Sequence, residues 1–171
     1  TPIIVGKFNP QENKNISNEN RMIDYTNIYS IDRINSTGVV EGGESLTLGN
    51  EFKLYNKLDP SDELLGINLA ASFRADENFD LPTNSYLGQK TSNLIGQTRV
   101  KLHDMLDLQY DFLTDNNVGD FLYHKIDTKF TINNFVSIFE FVEEHDQIGT
   151  THFVSNETSL KISDNKNLLF R

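Results

Sequence analysis

The chain has 171 residues, no cysteine and a formal net charge of −10, and 37% of its residues are hydrophobic. The lack of cysteine excludes disulfides, thiolate metal sites and thiol nucleophiles within this sequence. The negative charge argues against a general nucleic-acid-binding protein, because phosphate affinity depends on clustered Lys and Arg. No apolar run approaches the roughly 18 residues that a membrane helix requires.

The first part of the chain is the least regular. Ile3-Ile4-Val5 indicates the end of a strand, and residues 9–38, rich in Asn and of mixed charge, predict a long loop. Glu41-Gly42-Gly43-Glu44 then begins the regular region, where glycine permits a bulge or a sharp turn into a strand. Because the chain begins without Met and its last residues resemble an interrupted strand, we expect it to be a segment of a longer protein.

Alternation of polar and apolar residues dominates the sequence from residue 44 onward. Over residues 45–55, for example, Leu46, Leu48 and Phe52 share one face, and Thr47 shares the other face with Glu51. A period of two is typical of strands with one apolar face. The same period predicts strands over 64–75, 92–103, 106–112, 122–132, 135–144 and 151–162, and a last strand that the end of the chain interrupts.

The connections between these strands alternate in length. They are predicted at 59–63, 76–91, 104–105, 114–120, 133–134, 145–150 and 164–166. Asp59-Pro60-Ser61-Asp62 and Asn133-Asn134 are turn signals. Bacterial outer-membrane barrels have short periplasmic turns and longer outer loops, joined by strands of about 9–11 residues. A soluble sheet with one exposed face shows the same alternation, so a soluble β-sandwich or β-solenoid binding module is the alternative.

The two architectures differ in what covers the apolar face. A soluble sandwich requires a second layer that keeps this face dry, whereas a barrel exposes it as an apolar belt, which would be an aggregation patch in water. The residues that decide between them are Leu65, Leu69, Val100, Leu108 and Phe130. Aromatic residues near the strand ends suit the interfacial girdles of a barrel; they are Tyr55, Phe73, Phe112, Phe121 and Tyr123.

We predict an all-β fold, the antiparallel up-and-down wall of a transmembrane β-barrel, which supplies about eight or nine strands of a larger barrel. The chain forms one partial barrel domain over residues 1–171, with a strand end and a long irregular loop over 1–43 and a β-meander over 44–171. The residues predicted to face the water-filled lumen are Glu51, Lys53, Arg74, Arg99, Lys101, Asp107, Asp111, Lys125, Asp127, Lys129 and Glu140. They suit either a polar lining for a phosphorylated glycolipid or cross-strand pairs of opposite charge, worth about 0.2–1 kcal/mol each.

An enzyme is not predicted. Glu143-Glu144-His145-Asp146 is the densest cluster of titratable residues, and it falls in a predicted loop, where a solvated loop tip is the simplest interpretation. No phosphate loop, nucleophile elbow or metal-ligand spacing is present in the sequence. We therefore expect no catalytic residue, no cofactor and no metal.

A motif block stands within the irregular region. Residues 24–34 are Asp-Tyr-Thr-Asn-Ile-Tyr-Ser-Ile-Asp-Arg-Ile, and Val40-Glu41-Gly42-Gly43 follows before the first regular strand. The block resembles the LPS-assembly outer-membrane proteins, the LptD or OstA family, which show Asp-x-Thr-Asn-Leu-Phe-Ser-Leu-Asn-Arg-Phe and then Val-Glu-Gly-Gly. Ser72-Phe73-Arg74 is similar to the family's Gln-Ser-Tyr-Arg. Residues 36–39, Ser-Thr-Gly-Val, depart from the pattern, because relatives carry Asp-Arg there.

The resemblance implies a barrel of about two dozen strands in the bacterial outer membrane. Such proteins pass lipopolysaccharide from a periplasmic bridge protein into the outer leaflet and hold an LptE-like lipoprotein as a plug. The implied partners are therefore lipopolysaccharide, that lipoprotein, the bridge protein and the outer membrane, with no nucleic acid and no cofactor. The motif residues, expected in the lumen, near a gate or at the barrel mouth, are Asn27, Tyr29, Ser30, Arg33, Glu41, Gly42 and Gly43. Another outer-membrane barrel, such as a porin-like channel, is the alternative.

Overall fold

In the described part of the chain, nine antiparallel strands form one sheet, and each strand pairs with its neighbours in chain order. The computed structural model describes residues 1–34, 38, 40–145, 147, 149–163 and 166–171. The strands are β1 (Pro2–Asn9), β2 (Gly43–Tyr55), β3 (Glu63–Arg74), β4 (Ile95–Leu102), β5 (Leu106–Thr114), β6 (Phe121–Ile132), β7 (Phe135–His145), β8 (Thr150–Ser163) and β9 (Lys166–Phe170). The predicted all-β, up-and-down architecture is confirmed. Among the described residues the sheet is open, since β1 and β9 have one strand neighbour each.

Successive connections lie at opposite ends of the sheet because neighbouring strands are antiparallel. The connections at one end, here called the long-connection end, are 10–42, 75–94, 115–120 and 146–149. The connections at the other end are 56–62, 103–105, 133–134 and 164–165. The two longest connections of the chain therefore lie at the same end. The turn predicted at Asp164 and Asn165 lies outside the described residues, and Lys166 already belongs to β9.

Two strand boundaries differ by three or more residues from the sequence prediction. β1 continues to Asn9 instead of ending near residue 5, because it pairs along its full length with β2. β4 begins at Ile95 instead of Ser92. The Ser92 amide donates to the Ser72 carbonyl at 2.8 Å, but the Ser72 amide donates to the Ser92 hydroxyl at 2.9 Å. The Ser92 hydroxyl thus replaces a backbone carbonyl as acceptor in the ladder between β3 and β4, and regular pairing starts only at Ile95.

Burial along β2 and β3 is inverted relative to a soluble sheet. In β2, Thr47 is 3% exposed, whereas the adjacent Leu48 is 41% exposed. In β3, Ser72 and Arg74 are buried while Phe73 between them is exposed. We call the face with Thr47 and Ser72 the polar face and the face with Leu48 and Phe73 the apolar face. In these two strands the polar face is therefore the buried one.

Two long connections cover the polar face. The 10–42 connection contributes Ile16, Ile23, Ile28 and Ile34 to the buried core, and the 75–94 connection contributes Leu81 and Leu87. These residues pack on Ala70, Ile95 and Leu113, which the strand register places on the polar face. The two connections are also linked to each other, since the Ile16 amide donates to the Asp80 carbonyl at 2.8 Å. The core thus lies between the sheet and its own connections.

The apolar face has no second layer among the described residues. Every strand contacts only its neighbours in the sheet. None of the five residues that a soluble sandwich would keep dry, Leu65, Leu69, Val100, Leu108 and Phe130, belongs to the buried core, and Leu69 is 40% exposed. The described part of the chain contains one helical turn, Thr83–Ser85, and no helix long and apolar enough to cross a membrane.

Candidate functional site on the polar face

The residues predicted to face water all lie on one face of the sheet. The register places Lys101 opposite Asp107, Asp107 opposite Lys129, and Asp127 opposite Glu140. The same parity extends through β2 and β3, where Glu51 lies opposite Asn68. All eleven predicted residues are therefore on the polar face, but Arg74 is buried there and not exposed to water, because the 10–42 connection covers it. That this face lines a lumen stays a prediction.

These charges pair only partly across the strands. Lys101 Nζ lies 2.8 Å from Asp62 in the β2–β3 turn, although Asp107 is opposite it in the register. Lys125 Nζ lies 3.0 Å from Asp127 on its own strand and 3.5 Å from Glu140 on the next strand. These side chains are partly exposed, so each pair stabilises the sheet little. Cross-strand pairing alone does not account for the charged pattern.

The motif residues Arg33 and Glu41 meet Arg74 and Lys7 in a buried ionic cluster. Glu41 is fully buried. Its Oε2 accepts hydrogen bonds from Arg33 Nε at 2.9 Å and Lys7 Nζ at 2.8 Å, and its Oε1 accepts from Arg74 Nη1 at 2.6 Å and from Arg33 Nη2. One carboxylate therefore joins cations from the 10–42 connection, β1 and β3.

Hydroxyl groups of the sheet complete the contacts of Arg33. Arg33 Nη1 donates to Thr47 Oγ1 at 3.2 Å and to Ser72 Oγ at 2.5 Å, and Arg33 Nη2 donates to Ser45 Oγ at 2.8 Å. Arg74 Nη2 donates to the Gly42 carbonyl. A guanidinium can bond a carboxylate and several hydroxyls at once because its donors form a rigid fork, which Lys lacks. The hydroxyls of Ser45, Thr47 and Ser72 are therefore satisfied although they are buried.

Electrostatics keep Glu41 ionised. Burial alone raises the pKa of this carboxyl, but the hydrogen bonds and charges of Arg33 and Lys7 outweigh burial and bring the pKa below its usual range. Removing one member of a buried ionic group leaves an uncompensated charge and costs about 3–5 kcal/mol. The cluster thus holds its partners together only while Glu41 is present.

Gly42 and Gly43 shape the chain where it enters β2. Gly43 has φ of +84°, in the left-handed region that side chains disfavour. A Cβ at Gly42 would overlap the Gln11 carbonyl oxygen and lie 2.6 Å from Asn13 Oδ1. These two glycines thus permit the backbone conformation and the close approach with which the chain, just after Glu41, enters β2.

The other motif residues, Asn27, Tyr29 and Ser30, have separate structural roles. Asn27 builds a local turn, since its Oδ1 accepts from the Asp24 amide at 3.0 Å and its Nδ2 donates to the Met22 carbonyl at 3.1 Å. Tyr29 lies over Gly49 of β2, where an added Cβ would overlap its hydroxyl. Ser30 is exposed, and its amide donates to the Asn27 carbonyl at 2.8 Å. Ser30 and Asn27 are thus not part of the ionic cluster.

Sequence reasoning missed several residues of the cluster. Lys7 was not expected, because β1 was predicted only near residues 3–5. One feature of the sequence could have identified Ser45 and Thr47 as members of the cluster: they are small hydroxyl residues on a face that elsewhere bears charged side chains. Hydroxyls at such positions indicate that another group of the protein, rather than water, covers them.

The 143–146 cluster is not a solvated loop tip, contrary to the sequence prediction. Glu143, Glu144 and His145 belong to β7, while Asp146 lies outside the described residues. Glu144 is 7% exposed, and its Oε1 accepts from the Gly149 amide at 2.8 Å, because the β7–β8 connection folds onto it. Among the described residues, no group of three or more His, Cys, Asp or Glu is arranged to hold a metal.

Tyr123 also differs from its predicted place. It lies opposite Leu113 on the polar face, and not in an aromatic girdle on the apolar face. There it lines, with Tyr25, Gln109 and Asp111, a cavity of about 240 Å³ between residues 22–26 and the sheet. The remaining polar face, with Arg99, Lys101, Asp107, Asp127 and Lys129, forms an open groove.

No protein-family model matches the sequence, and no curated protein was found to be similar to it.

Proposed function

We propose that the chain forms part of the wall of an LptD-like outer-membrane β-barrel that inserts lipopolysaccharide into the outer leaflet. One observation carries the membrane part of this proposal: the apolar face of the sheet has no second layer among the described residues. In water, this uncovered face, on which Leu48, Leu69 and Phe73 are exposed, would be an aggregation patch. In a bilayer it is the surface that lipid requires.

Strand length and connection order support the same proposal. β2, β3, β6, β7 and β8 have 13, 12, 12, 11 and 14 residues, whereas strands of soluble proteins have about 5–6. A tilted strand of about 9–11 residues crosses the hydrocarbon core. The longest connections share one end of the sheet, as the outer loops of bacterial barrels do. A soluble sandwich would require a second layer over the apolar face.

The transport role rests on the motif resemblance. Four residues of the resembling blocks, Arg33, Glu41, Gly42 and Arg74, are in mutual contact although they come from separate parts of the chain. The water-facing charges suit passage of a phosphorylated glycolipid without tight binding. In this proposal the partners are lipopolysaccharide, an LptE-like lipoprotein and a periplasmic bridge protein, and the wall itself performs no catalysis.

A porin-like channel is the second candidate, because the exposed apolar face supports any outer-membrane barrel equally. The two candidates differ in what meets the polar face. A porin wall meets water and small solutes, whereas a transport wall meets lipopolysaccharide or a plug lipoprotein.

Paired photo-crosslinking in the full-length parent protein tests the proposal. The probe replaces Arg99 on the polar face in one variant and Val100 on the apolar face in the other. Because the two positions are adjacent in β4, they serve as controls for each other. We expect phospholipid acyl chains to be captured at 100 but not at 99, and lipopolysaccharide or a lipoprotein to be captured at 99.

The other outcomes separate the candidates. Lipid at 100 with neither lipopolysaccharide nor lipoprotein at 99 would favour a porin-like channel. Absence of lipid at both positions would exclude the membrane wall.

A further inference from the structure

We infer that the described residues of the 10–42 connection (10–34, 38 and 40–42) form a fixed plug on the polar face of the sheet and that Glu41 is the positioning residue that pins this plug. The proposed function enters in one respect, because the polar face is taken as the water-facing side of the wall. The plug itself is inferred from contacts within the chain.

Hydrogen bonds of Glu41, here called the pin, and of Arg33 join the plug to three strands. Glu41, inside the plug, binds Lys7 of β1 at 2.8 Å and Arg74 of β3 at 2.6 Å. Arg33, also inside the plug, bonds Ser45 and Thr47 of β2 and Ser72 of β3. Every one of these contacts crosses from the connection to the sheet. They fix the position of the plug along the strands as well as its distance from them.

Apolar contacts would not fix the plug in the same way. The isoleucines of the plug pack on Ala70, Ile95 and Leu113, and such contacts are non-directional. The cations Lys7, Arg33 and Arg74 converge on one point, where the Glu41 carboxylate accepts hydrogen bonds from all three. Without the carboxylate their mutual repulsion favours lifting of the plug. Glu41 therefore determines whether the plug stays seated.

The plug divides the polar face into two parts. At the long-connection end of β2–β5 the sheet is covered, and Ala70 is 2% exposed. The groove containing Arg99, Asp127 and Lys129 remains open. A hydrophilic substrate or a partner that follows this wall therefore meets the open groove, and not the surface beneath the plug.

Thiol labelling in the full-length parent protein, reconstituted in phospholipid nanodiscs, tests the pin. The sequence itself has no cysteine, and the labelling of the unsubstituted parent protein is subtracted as background. Single cysteines replace Ala70 beneath the plug, Lys129 in the open groove and Ala71 on the apolar face. Each is combined with wild-type Glu41 or with Glu41→Gln, and a water-soluble maleimide is the probe. Glu12→Gln, at an exposed carboxylate of the same connection, is the matched control.

We expect Ala70→Cys to be protected with Glu41 and to react about tenfold faster or more with Glu41→Gln, since labelling of a buried thiol follows the local opening equilibrium. Lys129→Cys should react at the same rate in both backgrounds, and Ala71→Cys should stay shielded by lipid. Glu12→Gln should leave every rate unchanged. A merely structural defect would instead alter all three reporters.

Two outcomes would overturn the inference. Reaction of Ala70→Cys with Glu41 intact would show that no plug is seated, and protection in both backgrounds would show that Glu41 is not the pin. If Glu41→Gln is not recovered as a folded barrel, Arg33→Lys takes its place, because Lys keeps the charge but cannot make the fork of bonds. Fast labelling of Ala71→Cys would count against the membrane wall alone, and the Ala70 comparison would still test the plug.

Discussion

Gly49 and Tyr29 illustrate how single residues seat the 10–42 connection on the sheet. Gly49 lies on the polar face of β2, and the Tyr29 ring occupies the space where a side chain would be. Tyr25 packs edge-on against Tyr29, with ring centroids 5.8 Å apart, and its hydroxyl donates to Glu51 at 2.7 Å. Burial and Glu51 both raise the pKa of Tyr25, so its hydroxyl stays a donor. The missing side chain at Gly49 thus permits the aromatic contact.

Substitution of Gly49 by Ala should destabilise the folded protein by about 1–3 kcal/mol, the usual cost of overpacking. Gly6→Ala is the matched control, because a Cβ at Gly6 meets nothing within 4 Å. The measurement is the urea midpoint of the full-length protein in detergent micelles. Combining Gly49→Ala with Tyr29→Ala should remove most of the additional effect, and equal effects of Gly49→Ala and Gly6→Ala would show that Tyr29 does not occupy this position.

At the scale of elements, the β6–β7 hairpin shows how a connection sets the register. Its connection consists of Asn133 and Asn134 alone, and Asn133 has φ of 50°. A positive φ in a two-residue connection is the pattern of the primed hairpin turns, whose twist matches the flanking strands. The turn sets Ile132 opposite Phe135, and the pairing continues to Tyr123 and Glu144. One local conformation therefore places ten cross-strand pairs.

Asn133→Val should destabilise this hairpin by about 1–2 kcal/mol, because a side chain other than Gly, Asn or Asp is strained in the left-handed region. Asn133→Gly should be neutral or stabilising. Asn134→Val is the control, since Asn134 does not have a positive φ. Urea midpoints of the three variants test the order. Equal destabilisation by valine at 133 and 134 would contradict the assigned turn.

For the whole molecule, the decisive property is the solvent that each face meets. Leu108 lies on the apolar face between Val100 of β4 and Thr128 of β6, and the adjacent Gln109 lies on the polar face. Gln109 donates to Asp111 at 2.8 Å and accepts from Arg99 at 2.9 Å. Neighbouring residues of one strand thus lie on opposite faces of the sheet. In a membrane wall, one of these faces meets lipid and the other meets water.

Leu108→Arg should reduce the stability of the protein in lipid by about 2–4 kcal/mol, as for a cation near the middle of a bilayer. Gln109→Arg places the same side chain on the polar face and should change stability far less. Folding titrations of the full-length protein in phospholipid vesicles measure both variants. In a soluble domain, vesicles would not change the stability of the protein. The difference in stability between the two variants would then be the same with and without vesicles.

The sequence by itself determined the strands and the assignment of residues to faces. The period of two depends only on the local backbone, because successive side chains of any strand point to opposite sides. For this reason the eleven water-facing residues predicted from alternation all lie on the polar face. Turn residues are local as well, so Asn133 and Asn134 were identified correctly.

The tertiary structure alone decided what covers the polar face. Lys7, Arg33, Glu41 and Arg74 are separated by up to 67 positions of the chain, and no local pattern indicates that they meet. Their contact depends on how the 10–42 connection folds back, which is governed by long-range packing and by pairing of buried charges. Alternation identified a polar face but did not distinguish one wetted by water from one sealed by its own chain, because both require the same residues along the strand.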